Sequence, residues 1–119
     1  MVKPKQGDIY WVRFGSAADY GPSGKRPAVV IQNDLLNRSN LQTTALTLLT
    51  SNKKLASVPG NVLLKKGIAN LPKTSDAVVT QMATVDKGRL LEKIGTLSSE
   101  KTELVVNGCQ MVISPALFH

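Results

Sequence analysis

"GPSGKRPAVVIQND" spans Gly21–Asp34 of a chain of 119 residues. Gly21, Pro22, Ser23 and Gly24 are residues that favour loops. Lys25 and Arg26 follow, and the chain then drops directly into an apolar run. Pro27–Asp34 predicts a strand, nearly continuous in apolar residues and hence buried on both faces. Pro27 suits the first residue of such a strand, where its missing N–H costs little. A loop tip would leave two cations in water at less cost. At the start of a buried strand they are aimed, because the strand fixes the base of each side chain.

Strands flank this stretch on both sides. "GDIYWVRF" (Gly7–Phe14) alternates and is rich in β-branched and aromatic residues, which predicts a first strand. Between the two strands lies a twelve-residue loop, Gly15–Arg26, of a length that is uncommon in compact domains and often functional. Downstream, "LLNRSN" (Leu35–Asn40) predicts a turn or a single helical turn, and "LQTTALTLLTSN" (Leu41–Asn52) a third strand. A short strand at Asn61–Leu64, a long loop "IANLPKTSD", a strand at Ala77–Val85, a tight turn "DKGRL" and a closing strand at Leu91–Ser98 complete the pattern. The period then changes. Leu104, Val105, Cys109, Val112 and Ile113 recur at helical spacing, with Ser98 or Ser99 as N-cap, so a helix is expected over about Ser99–Val112. Gly108 inside it costs about 1 kcal/mol relative to alanine. The order predicts a mainly β chain with a C-terminal α-helix, a small twisted antiparallel barrel with the helix packed on it. With no repeat, linker or low-complexity segment, one domain over residues 1–119 is expected.

Composition narrows the function. Hydrophobic residues make up 42% and charged residues 19%, a globular balance with a mostly aliphatic core. The net charge of +7 favours polyanions, nucleic acid before anionic membrane. The excess is segregated: Leu41–Ser75 holds five lysines and no acid, whereas Asp76–His119 sums to −1. The alternative is a merely solubilising surface. One cysteine, Cys109, excludes an intrachain disulfide, and no cysteine/histidine cluster suggests zinc. No apolar run suggests a signal peptide or a membrane span, so a cytoplasmic location is the default expectation.

Most catalytic arrangements are missing. The eight acids are dispersed, no G-x-S-x-G or phosphate-binding glycine loop of the right spacing is present, and His119 ends the chain. What remains is a basic, hydroxyl-bearing set: Lys25 and Arg26, Thr50 and Ser51 at the end of the third strand, and Gln81 in a later strand. If the second and third strands pair antiparallel, the start of one meets the end of the other, and Arg26 and Thr50 lie side by side. An arginine beside a hydroxyl suits phosphodiester cleavage in RNA, which carries its own nucleophile, the 2′-OH. A guanidinium fork donates two parallel hydrogen bonds to phosphoryl oxygens as charge develops there. A threonine hydroxyl holds the phosphate or nucleophile in line.

At these residues the chain resembles the MazF/PemK family of toxin endoribonucleases, over essentially its whole length. "GDIYWVRF" resembles the family's opening strand, "GPSGKRPAVVIQND" its glycine-rich loop followed by R-P and an apolar strand, "LTSN" (Leu49–Asn52) its threonine-ended strand, and "LPKTSDAVVTQMATVDKGRL" with "KIGTLSSEK" its second half. The resemblance implies the SH3-like barrel of MazF/CcdB-type toxins and a homodimer. It implies cofactor-free, metal-independent cleavage of single-stranded RNA, and a cognate antitoxin whose flexible acidic tail covers the groove. It carries the catalytic arginine onto Arg26 and the catalytic threonine onto Thr50, and suggests that Gln81 contacts RNA. Many members have a glutamate about five residues before the arginine; Gly21 stands there here, so the proton acceptor is left open.

Blander readings stand beside these. Arg26 could pair with Asp19 or Asp34, and the Thr50 hydroxyl could satisfy a turn. Ser51 is expected to support the phosphate or cap the turn, and Lys25 to make a nonspecific phosphate contact. Lys53 and Lys54 extend the phosphate track or are simply solvated. Tyr20 stacks on an unpaired base or anchors its loop. Trp11 and Cys109 are read as core. Two other functions are open: a non-enzymatic toxin of the same fold that binds DNA gyrase, for which the ending "SPALFH" lacks a tryptophan-bearing tail, and an inactive nucleic-acid-binding barrel whose affinity would fall steeply with salt.

Overall fold

The computed structural model describes residues 3–15, 24–52 and 57–115. Its strands are β1 (Asp8–Arg13), β2 (Lys25–Val30), β3 (Thr43–Thr50), β4 (Val62–Leu64), β5 (Ser75–Asp86) and β6 (Leu90–Thr96). Two helices join them, α1 (Asp34–Asn37) and α2 (Ser99–Ile113). The strands form one antiparallel sheet in the order β4-β5-β3-β2-β1-β6.

The second strand begins earlier than its composition suggests. Lys25 and Arg26 already belong to β2, paired with Arg13 and Val12 of β1. The strand also ends sooner, at Val30, because Asn33 caps α1 with its side chain, accepting the Leu35 N–H at 2.8 Å. Likewise β5 starts at Ser75, inside the polar stretch that reads as loop. The expected helix is present and one residue longer, with the Ser98 hydroxyl accepting the Lys101 N–H.

The sheet is sandwiched by apolar contacts on both faces, which explains why β2 shows no alternation. Val29, with Ile9, Leu49 and Val79, faces the core shared with Val105 and Cys109 of α2. Ala28 and Val30 point to the opposite face with Tyr10, Val12 and Leu46. Thr47, fully buried, turns its hydroxyl to the Val78 carbonyl at the bulge where the β3–β5 register shifts. Gly108 is where the helix comes closest to the strands' connections. A Cβ there would collide with the Gly60 carbonyl and the Val79 side chain, so the helix-weakening glycine is set by packing.

The sheet curls into a half-barrel. Its two edge strands, β4 and β6, do not pair; the 3-10 turn Ile68–Asn70 fills the seam between them. Asn70 donates its side-chain amide to the Ile94 carbonyl at 3.3 Å. Gly95 of β6 lies against the Ala69 backbone, with no room for a Cβ. Gly95→Ala is therefore expected to push the seam apart and cost about 1–3 kcal/mol. Chemical denaturation checks this, and an unchanged midpoint would contradict the seam packing.

Candidate active site

The β2–β3 ladder joins Ala28 to Leu48, Val29 to Thr47 and Val30 to Leu46. Carried two residues further, the same register sets Arg26 opposite Thr50, at the end of the ladder but in the middle of the sheet. There the sheet opens into a cleft of about 270 Å³, lined by Arg26, Pro27, Leu49, Thr50 and Ser51. Trp11 of β1, the segment Leu71–Lys73 and Ser75 complete its wall.

Arg26 is exposed and makes no ion pair with a described residue. Asp34, one acid considered for it, is engaged elsewhere: its Oδ1 accepts the Gln6 N–H at 2.8 Å and the Asn37 side-chain amide at 3.1 Å. The Gln6 bond, with help from Asn37, Arg38 and Lys5, holds the Asp34 carboxyl below its ordinary value. Asp19, the other acid considered, lies outside the described residues. The guanidinium thus keeps its donors at the cleft.

Thr50 is half-buried, and its Oγ1 accepts the Asn52 N–H at 3.1 Å. The hydroxyl does serve a turn, as the blander reading has it, yet among the described residues it serves as acceptor only. Ser51 is exposed at the rim. Lys25 is not free in solvent: its ammonium lies 4.9 Å from the centre of the Trp11 ring, a cation–π contact. Gln81 is exposed on β5 and does not line the cleft. Tyr20, Lys53 and Lys54 lie outside the described residues.

Two contributors escape sequence reading. Trp11 alternates with Ile9 and so reads as core, but at the outer end of β1 it is only half-buried and walls the cleft. Its place beside Arg13 was the available signal. Lys73 reaches the cleft only because the chain folds back after the seam turn, which no local pattern announces. Cys109 is buried, as expected of a core residue; burial pushes its thiol up, with a Thr47 hydrogen bond pulling the other way. Among the described residues no three histidine, cysteine or acidic side chains gather closely enough to hold a metal ion.

The cleft therefore presents a fork of donors, three hydroxyls, the Lys73 ammonium and an aromatic face with Lys25 over it, a set suited to a phosphate with a base beside it. Residues 5–113 match the PemK-like, MazF-like toxin family of type II toxin–antitoxin systems. The chain belongs to this family. It is 35% identical over 106 residues to Endoribonuclease MazF2 of Mycobacterium bovis, covering 89% of this chain and 93% of that protein. With Endoribonuclease MazF of Staphylococcus saprophyticus it shares 33% identity over 103 residues, covering 87% and 85%. The fold is that of a mycobacterial endoribonuclease solved in complex with its cognate antitoxin (TM-score 0.74, 18% identity, 92% of this chain and 94% of that one). It is also that of MazE–MazF from Deinococcus radiodurans (TM-score 0.73, 17% identity, 98% and 100%).

In this MazF-like chain Trp11 is the sole tryptophan, so its emission reports on the cleft alone. A single-stranded oligoribonucleotide blocked against cleavage by 2′-O-methylation is expected to quench or shift that emission in a saturable titration. Saturable binding measured by anisotropy with unchanged tryptophan emission would contradict the placement of the ligand in this cleft.

Proposed function

We propose that this MazF-family chain is an endoribonuclease, the toxin of a type II toxin–antitoxin pair, and that it cleaves single-stranded mRNA in the cytoplasm without a metal ion. The observation that carries the reading is the β2–β3 register, which brings Arg26 and Thr50 to one cleft although 24 positions separate them. The endoribonuclease names of the relatives at 35% and 33% identity support it.

RNA brings the nucleophile. The 2′-oxygen attacks the adjacent phosphorus, the bond to the 5′-oxygen breaks, and a 2′,3′-cyclic phosphate and a 5′-hydroxyl result. Arg26 donates its fork of N–H groups to the non-bridging oxygens, where negative charge concentrates as bonding changes. An arginine stays protonated throughout and so stabilises charge without taking a proton. Thr50 aligns the attacking group on the phosphate, and Ser51 supports the same phosphate from the rim. Lys25, braced on Trp11, and Lys73 draw the flanking backbone in, and Lys53 and Lys54 extend that positive track. Tyr20 stacks on an unpaired base, and Gln81 meets RNA beyond the cleft. The chain acts as a homodimer and is silenced by an antitoxin whose acidic tail competes for the same cations; the net charge of +7 favours both ligands.

Arg26→Ala is expected to lower the cleavage rate by about 100–1,000-fold with the melting temperature unchanged. Arg26→Lys, which keeps the charge and loses the fork, should recover only part of that. Full activity in Arg26→Ala would contradict the mechanism. Inhibition of DNA supercoiling with RNA left intact would instead favour a gyrase-binding toxin.

A further inference from the structure

Asp76, the second residue of β5, is only 4% exposed. Its Oδ1 is buried and has no hydrogen-bond partner among the described residues. A buried carboxylate oxygen without a donor is uncommon in a folded protein, and where it persists it asks for a functional reason. Its position supplies one. Asp76 pairs with Thr50 across the β3–β5 ladder. Directly opposite residues of antiparallel neighbours project from the same face with Cβ atoms about 4.5–5.5 Å apart. Arg26, opposite Thr50 in the extended β2–β3 register, continues the row. Three adjacent strands thus set a guanidinium, a hydroxyl and a carboxylate side by side. The Thr50 oxygen accepts from Asn52, and among the described residues its proton meets no acceptor. A donor without an acceptor thus stands across the ladder from an acceptor without a donor.

We propose that Asp76 is the terminal proton acceptor of RNA cleavage, reached through Thr50; this rests on the reading of the cleft as the cleavage site. As the 2′-oxygen bonds to phosphorus, its proton passes to Thr50 Oγ1, and the proton already on Thr50 passes to Asp76 Oδ1. The bond between phosphorus and the 5′-oxygen breaks with its electron pair on that oxygen, which takes a proton from water. Thr50 ends as it began. Asp76 ends neutral and returns its proton to solvent after the products leave. This gives the chain a proton acceptor although Gly21 stands where many relatives carry glutamate. Asp76 acts through Thr50, so it is a positioning and relay residue that does not touch the RNA.

No competing carboxylate stands on β3 or β4. The charged groups on the elements around Asp76 are Lys25 and Arg26 of β2, Lys73 ahead of β5 and Asp86 at its far end, Lys65 and Lys66 after β4, and on α2 Lys101 with the exposed Glu100 and Glu103.

The test is single-turnover cleavage of a short single-stranded RNA between about pH 3 and pH 8 in excess chelator, a span that reaches down into the ordinary carboxylate range. Wild type is compared with Asp76→Asn. Asparagine keeps an oxygen for the Thr50 hydroxyl and nearly the same shape, but it takes no proton. The wild-type rate should climb with pH at unit slope and then level. Asp76→Asn should fall by about 100-fold or more and lose the climb, while RNA affinity and melting temperature hold. Asp76→Asn with the wild-type rate and profile would overturn the relay. Thr50→Val, which cuts the relay and leaves Asp76 in place, should lose the climb while Thr50→Ser keeps it. Thr50→Val retaining the climb would overturn the relay even if Asp76→Asn failed to fold. A wild-type protein that leaves the RNA intact would overturn the proposed function and the relay together; wild-type cleavage with an unaltered Asp76→Asn overturns the relay alone.

Discussion

The antiparallel ladder between β2 and β3 is the constraint on which the rest of the structure depends. Ala28 against Leu48, Val29 against Thr47 and Val30 against Leu46 lie at the centre of the sheet. A slip of one residue would turn every side chain of β2 to the wrong face. Val29 would leave the core under α2, and Ala28 and Val30 would leave the opposite core. The same slip would move Arg26 off Thr50. Packing and site are therefore fixed together: the burial of aliphatic side chains decides the register, and the register decides which polar groups meet at the ladder's end.

That end is open for a physical reason. Beyond Ala28 and Leu48 the two strands carry Arg26, Pro27, Leu49 and Thr50, with Ser51 just past the strand end, and Pro27 has no N–H to give to a ladder. The backbone is held firmly a few residues away, while the side chains at the mouth are left to bind. The close approach of Gly108 to Gly60 lets α2 seal the core that Leu49 and Leu71 share, without itself lining the cleft. At the seam, the turn at Ile68–Asn70 does what a further pair of strands would do in a closed barrel, and then returns Leu71–Lys73 to the cleft wall.

Much of this is legible in the sequence where burial is strong and local pattern is regular. The unbroken apolar run from Ala28 gives β2 as a doubly buried strand, the 3.6-residue period with Ser98 ahead of it gives α2, and strand order alone suffices to put Arg26 beside Thr50. The failures share a cause. Lys25 and Arg26 read as loop because cations seldom begin a buried strand, yet the Trp11 ring and the pairing with β1 hold them there. Asp76 reads as loop because Lys73, Thr74 and Ser75 precede it; only the strands on either side of it bury its carboxylate. Lys87, in an apparent surface turn, is buried with its ammonium donating to the Asn37 carbonyl at 3.1 Å. Each of these three misreadings concerns polar residues whose environment comes from residues distant in sequence.

The family assignment and the residue-level account converge on one chemistry by separate routes. The first rests on a match over residues 5–113. The second rests on a donor fork and a hydroxyl brought together at one cleft in a chain of net charge +7. The measurement that tests this most directly is to incubate the purified protein with a long mixed-sequence RNA in excess chelator and map the new ends. The account predicts discrete cuts in unpaired segments, each leaving a 5′-hydroxyl and a 2′,3′-cyclic phosphate. Intact RNA, or cleavage that appears only when a divalent metal is restored, would contradict it.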